Sequence, residues 1–235
     1  MNSNRKAAII VGVLFIIATV APLLSLSFTR HIDTPDYLIN VSANATQVII
    51  GALFELIMAF AVAGIAITIY PILKKHNEAL AIGYVGARII EGVLFIVAVI
   101  GLLSLLTLSQ EFVKAGAPDA SYFQSLGTLL LAARDWAGHV LGSIVFPLGA
   151  LILNYLLYQS KLVPRFISVW GLIGALLALT EGLLLMFGLI DPFSTNAILL
   201  NLPIAVNEMV LAVWLIVKGF NPSAIVSLSA KTELN

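Results

Sequence analysis

Six long apolar stretches separated by short polar segments dominate the chain: residues 7–27, 45–73, 79–108, 136–158, 166–190 and 197–217. A bilayer core about 30 Å thick takes roughly 20 residues of helix to cross, so each stretch predicts a membrane-spanning helix. The runs are too long and too continuous for the alternating strands of an outer-membrane barrel. Residues 121–133 are also mostly apolar and suit a helical extension of the fourth span near the interface. The pattern predicts an all-α fold, a six-helix transmembrane bundle. The polar segments are short, so residues 1–235 read as one integral-membrane domain with a tail at 219–235.

The basic residues flanking the spans set an orientation. Arg5, Lys6, Lys74, Lys75, Lys161, Arg165, Lys218 and Lys231 fall on one side, Arg30 and Lys114 on the other. This bias predicts that both termini are cytoplasmic and that the loops at 29–44, 109–120 and 191–196 face outward. Arg5 and Lys6 before the first apolar run resemble the start of a signal sequence. That run is long enough to span and lacks a clear small-x-small cleavage site, so it reads as an uncleaved first helix.

Composition narrows the function classes. The chain is 60% hydrophobic and 10% charged, with a mean hydropathy of +1.06, whereas soluble domains carry about a quarter charged residues. Its surface must face lipid, and the lipid bilayer is its first partner. Twelve basic and twelve acidic residues cancel, so no global field recruits nucleic acid, and no basic patch is visible along the chain. Cysteine is absent and there are three histidines, which excludes thiolate metal sites, cysteine nucleophiles and sites built from several imidazoles.

Ionisable residues inside spans cost about 2.5–3.5 kcal/mol each on insertion scales, and by default they mark a functional interior. Here they are Glu55 in the second span, Arg88 and Glu91 in the third, Glu181 in the fifth and Glu208 in the sixth. Arg134 and Asp135 stand at the outer mouth of the fourth span, with His139 one turn below. Counted from the inferred outer ends, nearly all fall between the midplane and the outer surface, and they are expected to converge on one pocket.

Helical spacing supports inward orientation. Tyr84, Arg88 and Glu91 stand at i, i+4 and i+7 and share a stripe. Asp135, Gly138, His139, Gly142, Phe146 and Gly149 share another; Glu181 shares a face with Gly171, Gly174 and Ala178, and Glu55 one with Gly51. Small residues of this kind let membrane helices approach closely. Pro147 leaves the carbonyl of Ser143 without its usual amide partner and is expected to kink the fourth helix beneath His139.

Five interior acids stand against two arginines, which an apolar bundle cannot hold unbalanced. Either some carboxyls carry protons, or a metal ion is bound, or the site awaits a cationic ligand. No zinc helix, nucleophile elbow or phosphate-cradling glycine loop is present. A metal would need scattered ligands, with Glu55, Glu91, His139 and Glu208 as candidates, and these donors suit a divalent metal such as Mg, Ca or Mn, or iron.

Several strings are distinctive together: Tyr84-Val85-Gly86-Ala87-Arg88-Ile89-Ile90-Glu91-Gly92, the pair Asp135-Trp136, Leu162-Val163-Pro164-Arg165 leading to Ser168-Val169-Trp170-Gly171, and Glu208 through Phe220. With these the chain resembles a bacterial integral-membrane family catalogued only as a domain of unknown function, DUF4386. The resemblance implies a six-span fold in a bacterial cytoplasmic membrane, and no activity, cofactor or catalytic residue.

Three readings of function remain open at this point. The leading one is an acidic intramembrane pocket, open outward, that binds a cation or cationic small molecule for transport, with Glu55, Glu91, Glu181 and Glu208 as ligands or proton carriers and Tyr84, Arg88, Asp135 and His139 beside them. The second is an intramembrane metal-dependent enzyme acting on a lipid or another apolar substrate. The third is a non-catalytic sensor or partner subunit.

Overall fold

The structure, a computed structural model, describes residues 3–116 and 120–233. Of the predicted outer loop 109–120 and tail 219–235, residues 117–119 and 234–235 lie outside the described residues. The described chain is helical: α1 (Ser3–Thr29), a short 3-10 turn (Arg30–Asp33), α2 (Tyr37–Ala43), α3 (Ala45–Leu73), α4 (Glu78–Lys114) and α5 (Ala120–Asp135). A π-helical turn (Trp136–Leu141) then joins α5 to α6 (Gly142–Ser160), followed by α7 (Arg165–Met186), α8 (Thr195–Val217) and α9 (Pro222–Glu233). Among the described residues six helices are long and apolar enough to cross a membrane, the fourth being the continuous Ser121–Ser160.

Several boundaries differ from the hydropathy reading. The third helix runs on to Lys114, so part of the expected outer loop is helical. The fourth starts near residue 120 and not at 136, in line with the helical extension expected at 121–133, because the less apolar α5 continues into α6 through the π turn and not through a loop. The fifth stops at Met186, where Gly188 takes a left-handed backbone (φ 64°) and Leu189 N–H donates to the Leu184 carbonyl, closing the helix end as a Schellman turn. Helices α2 and α9 were not expected, since both are too short to show an apolar span.

Local signals explain the sharp starts. Asn77 accepts from the Leu80 N–H and caps α4, with Glu78 in the first turn and Lys114 in the last, matching the helix dipole. Ser194 caps α8 in the same way through the Ala197 N–H.

Each long helix packs against its neighbours in chain order, and α8 returns to α1, so the spans form a closed ring. The half of the ring that carries the termini is filled by a core of Phe15, Ile65, Ile69, Leu153, Leu157, Leu211 and their neighbours. In the other half α2 lies on α4, burying Leu38 and Val41 with Val99, Leu102 and Leu105. Two glycines fix α7. A Cβ on Gly174 would stand 2.9 Å from the Ile204 backbone nitrogen of α8, and one on Gly182 would collide with the Ser143 carbonyl of α6. That carbonyl is the one Pro147 frees, so the missing hydrogen bond of α6 is also the surface on which α7 packs.

Candidate functional site

The ionisable residues inside the bundle do not meet in one pocket. They divide into three groups, each built by different helices.

The first group occupies the centre of the ring. On α4, Tyr84, Arg88 and Glu91 share the predicted stripe and are all buried. Arg88 Nη1 donates to both oxygens of Glu91 (3.1 and 2.9 Å), Nη2 donates to Glu208 Oε1 across the ring on α8 (3.1 Å), and Nε donates to the Tyr84 hydroxyl (3.2 Å). The guanidinium carbon also lies 5.9 Å from the Phe15 ring centroid and 5.3 Å from that of Phe146, within cation–π range. Helices α4 and α8 are not ring neighbours in chain order, so this ion pair crosses the interior. It lies nearer the end that carries the termini: Arg88 is ten residues in from Glu78, and Glu208 nine back from Val217. That corrects the expectation that nearly all of the ionisable residues lie between the midplane and the outer surface: Arg88 and Glu91 stand nearer the inner end even of the stretch 79–108, and the extension of α4 to Lys114 places them further still from its outer end.

The second group lies towards the opposite end. Arg134 at the end of α5 holds Glu55 of α3 in a bidentate pair, Nη2 to Oε1 at 2.6 Å and Nη1 to Oε2 at 2.9 Å. Ser25 of α1 donates to Glu55 Oε1 at 2.9 Å, and Arg134 Nη1 also reaches the Ala98 carbonyl of α4 at 3.2 Å. Four spans are tied by one buried pair. Both oxygens of Glu55 are engaged, by three donors in all, so an incoming cation would compete with the Arg134 guanidinium for the same carboxylate.

The third group contains Glu181, His139 and Asp135. Glu181 is 4% exposed, and among the described residues it is the buried carboxylate with no guanidinium or ammonium partner. Its Oε2 is buried without a hydrogen-bond partner. Ser143 and Asn201 stand beside the carboxyl, and His139 lines the same pocket. These residues line a pocket of about 290 Å³ between α6, α7 and α8, together with Leu185, Pro192, Phe193, Ala197 and Ile198. The His139 Nδ1 lies 3.2 Å from Asp135 Oδ1, which is largely exposed, and the ring stands edge-on to Phe193 at 5.1 Å. Phe193 takes a left-handed backbone (φ 62°), a conformation that is uncommon for a bulky residue and that concentrates at functional loops. His139 itself sits in the π turn, a local insertion often found at functional sites.

The four metal-ligand candidates are therefore dispersed: Glu55 is held by Arg134, Glu91 and Glu208 by Arg88, and His139 faces Asp135. Among the described residues no three histidine or acidic side chains stand close enough to hold a metal ion together. Sequence reasoning missed Ser25, Ser143, Asn201 and Phe193. Ser143 carried a weak signal, one helical turn after His139, whereas the uncharged others are indistinguishable from ordinary span and loop residues.

The match to known proteins runs along nearly the whole bundle, from residue 10 in α1 to residue 219 just past α8. The chain belongs to the family described as Domain of unknown function (DUF4386). No curated protein and no solved structure matches it. All three polar groups of this DUF4386 protein lie within the matched residues, while α9 lies beyond them. The protein is thus a polytopic membrane protein whose interior carries two arginine-centred groups and, apart from them, the buried Glu181 carboxyl.

Proposed function

We propose that this DUF4386 protein binds a cation or a small positively charged molecule, such as a protonated amine, in the pocket on Glu181, and carries it across the membrane. The observation that carries the reading is the buried Glu181 carboxylate, with one oxygen unpartnered, at the wall of an open pocket. Arg134 matches Glu55 one to one, and Arg88 binds both Glu91 and Glu208, so the demand for an incoming positive charge is strongest where no arginine reaches. Ser143 and Asn201 supply oxygens for a cation, and the Phe193 ring supplies a π face suited to an ammonium group. The volume suits a small ligand.

Glu181 lies five residues before the end of α7, on the side away from both termini. With eight flanking basic residues on the terminal side against two on the other, the pocket opens outward from a cytoplasmic membrane with both termini inside. The resemblance drawn from the sequence makes that membrane bacterial.

The reading is tested by thermal-shift and equilibrium-binding measurements on detergent-purified protein with alkali and alkaline-earth ions and with methyl-, dimethyl- and tetramethylammonium. A ligand that stabilises the wild type and loses at least tenfold in affinity in Glu181→Gln is the expected result. A panel in which nothing binds the folded wild type would favour the non-catalytic partner reading, and binding that survives Glu181→Gln would place the ligand elsewhere.

A further inference from the structure

A second concavity, of about 550 Å³, lies at the end of the bundle that carries the termini, where the α6–α7 turn meets the α8–α9 turn. Lys161, Arg165 and Lys218 line it, and no acidic side chain does. The chain shows no basic patch in sequence because these residues come from turns 53 or more positions apart and meet only on folding. The Asn221 N–H donates to the Leu162 carbonyl at 2.8 Å and its side chain reaches the Lys161 carbonyl at 3.4 Å, locking one turn against the other. Leu162, Val163 and Phe220 are buried beneath, so the concavity is built on packed residues.

Local structure shapes both the concavity and its potential. Arg5 donates to the Leu215, Ile216 and Val217 carbonyls at 2.9, 2.6 and 3.3 Å and neutralises the negative end of α8, which would otherwise attract Lys218. Lys161 takes a left-handed backbone (φ 56°) at the end of α6, where glycine is usual. Helices α7 and α9 also begin at the rim, with Arg165 and Pro222, adding the positive ends of their dipoles. Trp214 lines the same concavity, and tryptophan is enriched at the level of lipid headgroups.

We propose that this pocket seats a phosphate group, supplied at this depth by the headgroup of an anionic phospholipid, with Lys161 and Lys218 as its charge partners and Arg165 at the rim. Basic pockets between spans at the cytoplasmic interface suit such headgroups. The proposal is independent of the Glu181 reading, since the two sites share no residue.

Native mass spectrometry of the full-length protein tests it, with added phosphatidylglycerol, phosphatidylcholine or inorganic phosphate. The variants are Lys161→Asn, which tolerates the left-handed backbone, Lys218→Gln, and the pair together. The expected result is retention of phosphatidylglycerol over phosphatidylcholine by the wild type, weakened about fivefold by each change and about thirtyfold by both. Equal retention of phosphatidylglycerol by the wild type and the double variant, both running as monodisperse folded protein, overturns the site. Inorganic phosphate binding that the double variant abolishes, with no preference between the two lipids, overturns the lipid source and assigns the pocket to a soluble phosphate.

Discussion

The Arg134–Glu55 pair provides a stringent test of whether the buried charges outside the Glu181 pocket act as structural ties. Replacing Arg134 with Met removes two donors, at 2.6 and 2.9 Å, from a buried carboxylate and leaves Glu55 with the Ser25 hydroxyl. Breaking a buried pair by removing one partner costs about 3–5 kcal/mol, because the surviving charge has neither water nor counter-ion. The direct attraction alone, for charge centres roughly 4 Å apart at an effective dielectric constant of about 20, is about 4 kcal/mol. Glu55→Leu strands the guanidinium instead, although the Ala98 carbonyl retains one of its hydrogens. The double variant Arg134→Met, Glu55→Leu strands neither charge, so its destabilisation should fall below the sum of the single ones by about 2–4 kcal/mol. Reversible unfolding in mixed micelles of increasing SDS content, followed by tryptophan fluorescence, gives all four stabilities. Additivity within about 0.5 kcal/mol would refute the claim that the two residues act as one buried unit.

Other outcomes follow from the same geometry. The Arg88 group holds two carboxylates against one guanidinium, and Glu208, with a side chain 16% exposed against 3% for Glu91, is the more accessible of the two. Glu91→Gln should therefore cost about 3–5 kcal/mol in the same unfolding assay, while Glu208→Gln stays within about 1 kcal/mol of the wild type; equal losses would show that Arg88 depends on both carboxylates alike. Gly182→Ala should destabilise by about 1–3 kcal/mol, because its methyl group meets the Ser143 backbone carbonyl, which cannot rotate away; a neutral effect would show that α6 and α7 are free to separate. Asn207→Leu removes the buried donor to the Ile167 carbonyl that ties α8 to the start of α7 and should lower stability by about 1–2 kcal/mol, read as a lower midpoint in thermal unfolding.

Much of the fold was legible because crossing a bilayer imposes a length and a hydropathy that few other structures share. The second and sixth spans were bounded to within two residues for that reason. Helices α2 and α9 were not legible, since an interfacial or surface helix has no such requirement, and the π turn at Trp136–Leu141 has no hydropathy signature at all. The site was legible in its parts more than in its assembly. The Tyr84–Arg88–Glu91 contacts follow from helical spacing on one element. The partners Glu208 and Glu55, 120 and 79 positions from their arginines, depend on which helices face one another in the ring, and local periodicity does not carry that information. Treating all interior acids as one pocket therefore overestimated the number of free carboxylates. Pairing with arginine removed Glu55, Glu91 and Glu208 from that set and, among the described residues, left Glu181 as the buried carboxyl with no arginine partner.

Flux measured in proteoliposomes separates these carboxylates most directly. The wild type and the variants Glu55→Gln, Glu181→Gln and Glu208→Gln are reconstituted in equal folded amounts and assayed with the cation or amine that binds best. Uptake should disappear in Glu181→Gln and persist in Glu55→Gln. Undiminished uptake in Glu181→Gln, or a loss confined to Glu55→Gln, would contradict the assignment of the ligand to the Glu181 pocket.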